Sequence, residues 1–198
     1  MNIIEIIKEE LIKRSDLFEE QTKDSKDEYN IYNEHIKYVH KYVKELSKNT
    51  DVDKEVLELS ALLHDISMTD INLDRSIHNE LGSKIAEELL TKYNYPQEKI
   101  SLIKKIILNH SSKRKDYRTT LEEQILVDAD ALAHFDSIKN LYSLAHKVMN
   151  LDEMESIKFV KDKITKDYNE VSSDAKKLIK DKYEKIISCN TYEELSML

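Results

Sequence analysis

The chain has 198 residues, enough for one good hydrophobic core and few for two, with 40% hydrophobic and 35% charged residues. One Gly and one Pro leave little material for sheet turns, so an all-α fold of helices joined by polar loops is expected. A net charge of −8 argues against a surface built for a nucleic-acid polymer, and no apolar run has the length of a bilayer span or a signal-peptide core.

Apolar residues recur three and four apart through almost the whole sequence. This period predicts helices near 2–14, 31–48, 53–64, 76–93, 97–110, 120–134, 137–149, 153–168 and 173–190. The stretch 19–29 is polar and reads as a loop before the first core helix. On helix 31–48 the apolar stripe runs Ile31, Val39, Tyr42, Leu46. His35 lies four residues from both Ile31 and Val39 and therefore faces the core. His40 falls with Lys37, Lys41 and Lys44 on the wet side. Helix 53–64 is apolar nearly all round, which suits a central position, and it ends on His64-Asp65. A buried carboxylate there needs a cationic partner. A structural salt bridge would serve; so would a divalent transition ion, which imidazole and carboxylate together suit. A loop, 65–75, follows.

On helix 76–93, His78 stands four residues before Gly82, so the two share a face. A glycine inside a helix costs about 1 kcal/mol relative to alanine, which calls for close helix packing or for room beside His78 for an ion or substrate. Pro96, after the corner Tyr93-Asn94-Tyr95, sits where the next helix can start. The stripe Ile103, Ile107, His110 turns His110 inward, just before loop 111–119 with Lys113, Arg114, Lys115 and Arg118. Singly these read as solvated charges; as a group they form a patch that attracts phosphate.

Asp128 and Asp130 are both embedded in the small and apolar residues of VDADALAHFD, and periodicity does not choose between them. His134, four residues after Asp130, is placed to support it. His146 falls off the stripe Leu141, Leu144, Ala145, Val148 and is expected at the surface. The amphipathic tail after residue 150 suits packing on the same domain or on a second copy, which leaves a homodimer open. Without repeats, low-complexity tracts or a linker, one domain over 1–198 is expected. The lone cysteine, Cys189, has no internal disulfide partner, which fits a reducing cytoplasm.

The order His35, His64-Asp65, Asp130 resembles the HD-domain superfamily of metal-dependent phosphohydrolases. The segments NEHIKYVHKYV, LSALLHDI, HNELGSKIAEELL, ILNHS and DADALAHFD are each similar to a family motif, over roughly residues 30–150. The resemblance implies a helical HD-domain bundle with His35, His64, Asp65 and Asp130 as metal ligands. It prefers Asp130 to Asp128, because the family ligand stands two residues before the leucine of Ala-Asp-x-Leu. It puts His78 and His110 where members bind a second metal or contact substrate phosphate. Ser111 stands where two-metal cyclic-nucleotide and HD-GYP-type enzymes usually have another histidine, and the HD-GYP signature is absent. One divalent ion is therefore expected, with Mn²⁺, Fe²⁺, Co²⁺ or Ni²⁺ favoured and Mg²⁺ or Zn²⁺ compatible.

The implied activity is hydrolysis of a small phosphorylated molecule, a nucleotide first among them, by metal-activated water. Asp65, His78 and His110 are the expected catalytic residues, with Lys113 and Arg114 on the substrate. No nucleic-acid polymer or membrane partner is implied. The alternative is a non-catalytic, metal-binding HD-type signalling or interaction module. A purely structural bundle with buried His-Asp pairs stands third.

Overall fold

The described residues, 2–26 and 28–198 of a computed structural model, are helices joined by turns, with no strand among them. In chain order the helices are α1 (Ile3–Thr22), α2 (Lys37–Leu46), α3 (Lys54–Leu63), α4 (His78–Lys92) and α5 (Gln97–Asn109). They continue with α6 (Leu121–Asp136), α7 (Ile138–Ser143), α8 (Glu153–Glu170), α9 (Ser173–Ser188) and α10 (Tyr192–Ser196). A wide π-type turn, Tyr32–Ile36, leads into α2, and another, Leu144–Val148, extends α7. Fold class is all-α, as the glycine count and the periodicity require.

Local chemistry sets the boundaries. The Asp53 side chain accepts from Val56 N at the start of α3, and Pro96 occupies the position before α5. Thr120 with Glu123, and Asp152 with Glu155, form reciprocal caps at α6 and α8. Asp24, Asn94 and Asn150 have φ of 60°, 54° and 58°, which explains how the chain turns with so little glycine.

Four stretches differ from the sequence reading. Helix α1 runs to Thr22 rather than to 14, because Ser15, Phe18 and Thr22 continue the buried stripe of Ile7 and Leu11. Two of those three residues are polar, which hid the stripe. The loop expected over 19–29 thus begins after Thr22, and its residue 27 lies outside the described residues. Short 3₁₀ turns, Ile66–Thr69 and Ser112–Tyr117, occupy much of the loops expected at 65–75 and 111–119. Helix α10 was not expected.

Helix α3 is the central element: Val56, Leu57, Leu59, Ala61, Leu62 and Leu63 are all buried. Helix α2 packs against α6, α4 against α5, and α1 against α3. Ile157, Val160, Ile164, Ile179 and Ile186 join the same apolar cluster, so the tail's apolar face is covered by its own chain.

Gly82 explains how α4 meets the end of α3. A Cβ there would stand 2.9 Å from the His64 carbonyl oxygen. Alanine would gain about 1 kcal/mol in helix propensity but displace a buried peptide, at about 1–3 kcal/mol. Gly82→Ala is expected to lower Tm, by about 2–4 °C per kcal/mol lost. An unchanged or higher Tm would show that α4 simply gives way.

Glu123 ties α5 to α6. Its buried carboxylate accepts from Asn109 Nδ2 at 2.6 Å, Thr119 N at 2.7 Å and Thr120 N at 2.9 Å. Burial alone raises this carboxyl, but the backbone and Asn109 donors outweigh it and hold it below its ordinary value. Such a group adds stability above the ordinary Glu pKa, about 4.3, and that stability is lost as pH falls through the depressed value. Glu123→Gln should therefore lower the urea midpoint at pH 7 and lose less on acidification than the parent. Equal midpoints for both proteins at every pH would refute this account.

Candidate metal centre

Three imidazoles near the middle of the molecule are held the same way. His64 Nδ1 lies 2.8 Å from Ala61 O, His78 Nδ1 3.0 Å from Arg75 O, and His110 Nδ1 2.6 Å from Ile107 O. A carbonyl can only accept, so in each ring Nδ1–H donates, and in the neutral ring Nε2 carries the lone pair. The reason is local: His64 and His110 follow the last residues of α3 and α5, and His78 follows a single 3₁₀ turn. At such places a carbonyl three residues back lacks its regular helical amide and has a lone pair for the side chain.

The Nε2 atoms converge on two carboxylates. Asp65 leaves α3 at φ −114°, ψ 21°, which turns its side chain back towards His64. Its Oδ2 is 3.5 Å from His64 Nε2, and its Oδ1 is 3.6 Å from His110 Nε2 and 3.7 Å from His78 Nε2. Asp130 comes from α6 and its Oδ1 is 3.0 Å from His35 Nε2 and 3.9 Å from His64 Nε2. His35 is presented by the π-type turn before α2 and is buried. The structure thus brings His35, His64, Asp65 and Asp130 together, with His78 and His110 against the other side of Asp65. Donor atoms of His35, His64 and Asp65 lie within 4.8 Å of one another, as do those of Asp65, His78 and His110 and those of His35, Asp130 and His134.

The electrostatics fit this crowding. Burial drives the His64 imidazole down despite Asp65 and Asp130 beside it. Burial would raise the Asp65 carboxyl, but the His64 and His110 imidazoles hold it well below the carboxylate range. Asp130 is likewise low, burial being outweighed by the His35 bond. His110 is raised, since Asp65 more than offsets burial.

Two atoms decide whether this arrangement suits a cation. His64 Nε2 and Asp65 Oδ1 are buried with no hydrogen-bond partner. Leaving such atoms unmatched is costly, and one positive ion between them would satisfy a lone pair and a carboxylate oxygen together. Imidazole nitrogen plus carboxylate oxygen is a donor set for a divalent ion.

The other expected residues go elsewhere. Asp128 accepts from Gln124 Nε2 at 2.8 Å and from Ser172 N at 3.2 Å, far from the cluster's chemistry. His40 is not at the open surface: it is half-buried, with Nε2 2.8 Å from Glu58 Oε2. His146 is exposed. Arg118 is drawn into the fold, donating to the carbonyls of Asn109, His110 and Ser111.

A cavity of about 310 Å³ opens onto His35, Asp65 and His134. Its walls include Tyr29, Met68, Leu141 and Leu144, and its charged groups besides Asp65 are Lys26 and Arg75 together with Glu28 and Glu34. Lys113 and Arg114, expected on the substrate side, do not line it. Arg114 instead donates to Asn109 Oδ1 at 2.9 Å and covers the Tyr117 ring, while Lys113 is exposed. Sequence reasoning missed Tyr29, Lys26 and Arg75, which sit in polar stretches with no periodicity to orient them.

Comparison with known proteins places this geometry in context. The HD domain family model matches residues 32–134. An uncharacterised protein of Clostridium beijerinckii is 32% identical over 72 residues, 36% of this chain and 45% of that protein. The chain therefore aligns with under half of that relative's length. The crystal structure of a predicted HD superfamily hydrolase from an uncultured Thermotogales bacterium superposes with a TM-score of 0.53 at 20% identity. That superposition covers 91% of this chain and 99% of the other, and it shows a shared fold.

A cation that binds only the folded centre must stabilise it, by about 2.7 kcal/mol at a hundredfold excess over Kd. Adding Mn²⁺ or Co²⁺ to chelator-treated protein is expected to raise Tm, and His64→Ala to abolish the rise. Melting curves that ignore both metal and chelator would count against the centre.

Proposed function

We propose that this chain, which belongs to the HD-domain family, is a metal-dependent hydrolase of small phosphorylated molecules, nucleotides first among them. The observation that carries this reading is the pair of buried, unmatched atoms, His64 Nε2 and Asp65 Oδ1, beside a cavity with cations in its wall. His35, His64, Asp65 and Asp130 would hold one divalent ion, Mn²⁺, Fe²⁺, Co²⁺ or Ni²⁺ being the best match to a mixed nitrogen and oxygen set. When bound, that ion would polarise a phosphoryl oxygen and lower the pKa of water.

The chain's own groups do the rest. Carboxylate oxygens of Asp65 and Asp130 that face the centre accept hydrogen bonds from the attacking water and orient it in line with the phosphorus. His78 and His110 lie on the far side of Asp65, where a protonated imidazole donates to a phosphoryl oxygen as charge develops on it. Arg75 and Lys26 draw the anionic substrate into the cavity, and Tyr29, Met68, Leu141 and Leu144 cover its less polar part. These walls displace water, which strengthens each polar contact inside.

One distance favours a second reading with two ions. His78 Nε2 and His110 Nε2 are 3.2 Å apart, and both Nδ1 atoms already donate to carbonyls. Two lone pairs at that separation repel unless a proton or a cation lies between them. Asp65, which faces both, would then bridge the ions.

The Mn²⁺-loaded protein should hydrolyse a member of a panel of nucleotides, cyclic nucleotides and phosphorylated metabolites. His64→Ala and Asp65→Ala are each expected to reduce turnover by about 10²-fold or more. Parental turnover in either folded variant would sink the mechanism. Elemental analysis separates the readings: one ion per chain in parent and His78→Ala alike supports the first, whereas two ions falling to one supports the second.

A further inference from the structure

Helix α8 lies beyond the segment that matches the family, yet it reaches the centre through one side chain. Asp167 is buried on α8, and its Oδ2 lies 2.9 Å from His134 Nδ1. Lys163, one turn earlier on the same helix, donates to both Asp167 oxygens at 2.7 Å. Lys163 Nζ also lies 3.2 Å from His134 Nδ1, but its hydrogens go to the two nearer Asp167 oxygens. With the shorter contact made to a carboxylate, which can only accept, His134 Nδ1–H is the donor and Nε2 of the neutral ring keeps the lone pair. Lys163 alone would already compensate the buried charge; the contact to His134 adds orientation.

That orientation aims His134 at the same ion-binding face. His134 and Asp130 stand four residues apart on α6 and therefore share a side of it. The His134 ring stacks on that of His35, with centroids 5.5 Å apart and planes at 25°. Donor atoms of His35, Asp130 and His134 lie within 4.8 Å of one another, and His134 also lines the cavity. Two donors on one ion, each bonded at about 2.1 Å, stand no more than about 4.2 Å apart, within that limit. A ligating histidine whose other nitrogen donates to a carboxylate is a recurrent metal-site device, because it fixes the tautomer and raises the basicity of the free nitrogen.

We propose that His134 is a further donor to the divalent ion, set in place by Asp167 and Lys163 of α8. This rests on the metal-centre reading above and extends it: the ion would meet three imidazoles and two carboxylates, a set that discriminates against Mg²⁺ in favour of transition ions.

The test is titration of the chelator-treated, full-length protein with Co²⁺, followed by visible absorption, with melting of the metal-free proteins as the folding control. His134→Gln is expected to weaken Co²⁺ binding by about 10–100-fold and Asp167→Asn by about 10-fold, both altering the visible bands in the same direction. A merely structural role would lower the metal-free Tm and leave affinity and bands untouched, which overturns the proposal. Should His134→Gln fail to fold, Asp167→Asn decides, since it keeps both the ring and the volume of the carboxyl. Parental protein that binds no Co²⁺ defeats the metal centre itself, and this proposal with it. Parental protein that binds Co²⁺ no better than the two variants defeats the role of His134 alone.

Discussion

Where a helix ends, carbonyl oxygens lose their regular amide four residues on, and this chain meets two such carbonyls, Ala61 and Ile107, with imidazole Nδ1 groups; a third, Arg75, lies in the turn before α4. Each contact fixes one tautomer and turns one Nε2 inward. The result is a centre rich in lone pairs and carboxylate oxygen, enclosed by an apolar bundle that offers it few hydrogens. The close approach at Gly82 keeps α4 against the His64 peptide, so two of the three histidines are locked to the same junction. The geometry of the centre is thus a property of helix termini more than of the helices themselves.

Much of this could be read from residue order. The helix period located all the long helices, and the stripe Ile31, Val39, Tyr42 put His35 inside on its own evidence. The apolar run before His64 placed that residue at the end of a central helix. Periodicity could not choose Asp130 over Asp128, because both are embedded among small residues; the choice depends on which face of α6 meets α2 and which meets α9. Polar stripe residues concealed the second half of α1. Arg114 and Arg118 read as free charges, yet their partners are carbonyl and amide groups at the end of α5, and no spacing announces that.

The tail shows the same limit more sharply. Its amphipathic pattern indicated only that some apolar surface would cover it. That α8 also delivers a buried carboxylate to a histidine 33 residues earlier is a tertiary fact, with no sequence signature beyond a Lys and an Asp one turn apart. The family-matched segment stops at His134, so the residues that orient this histidine lie where the family's shared pattern has ended.

The wide turn before α2 links the cavity to the centre in another way. The carbonyl of Glu34, in the peptide that leads into His35, accepts from both Ser137 Oγ and Asn140 Nδ2. Both donors sit at the start of α7, whose side chains wall the cavity. A molecule that moved α7 would therefore bear on the backbone that carries His35, and a change at His35 would bear on α7, through the same two bonds. If the centre holds an ion and the cavity a guest, thermodynamic reciprocity requires that whatever the guest does to the hold on the ion, the ion does in equal measure to the hold on the guest.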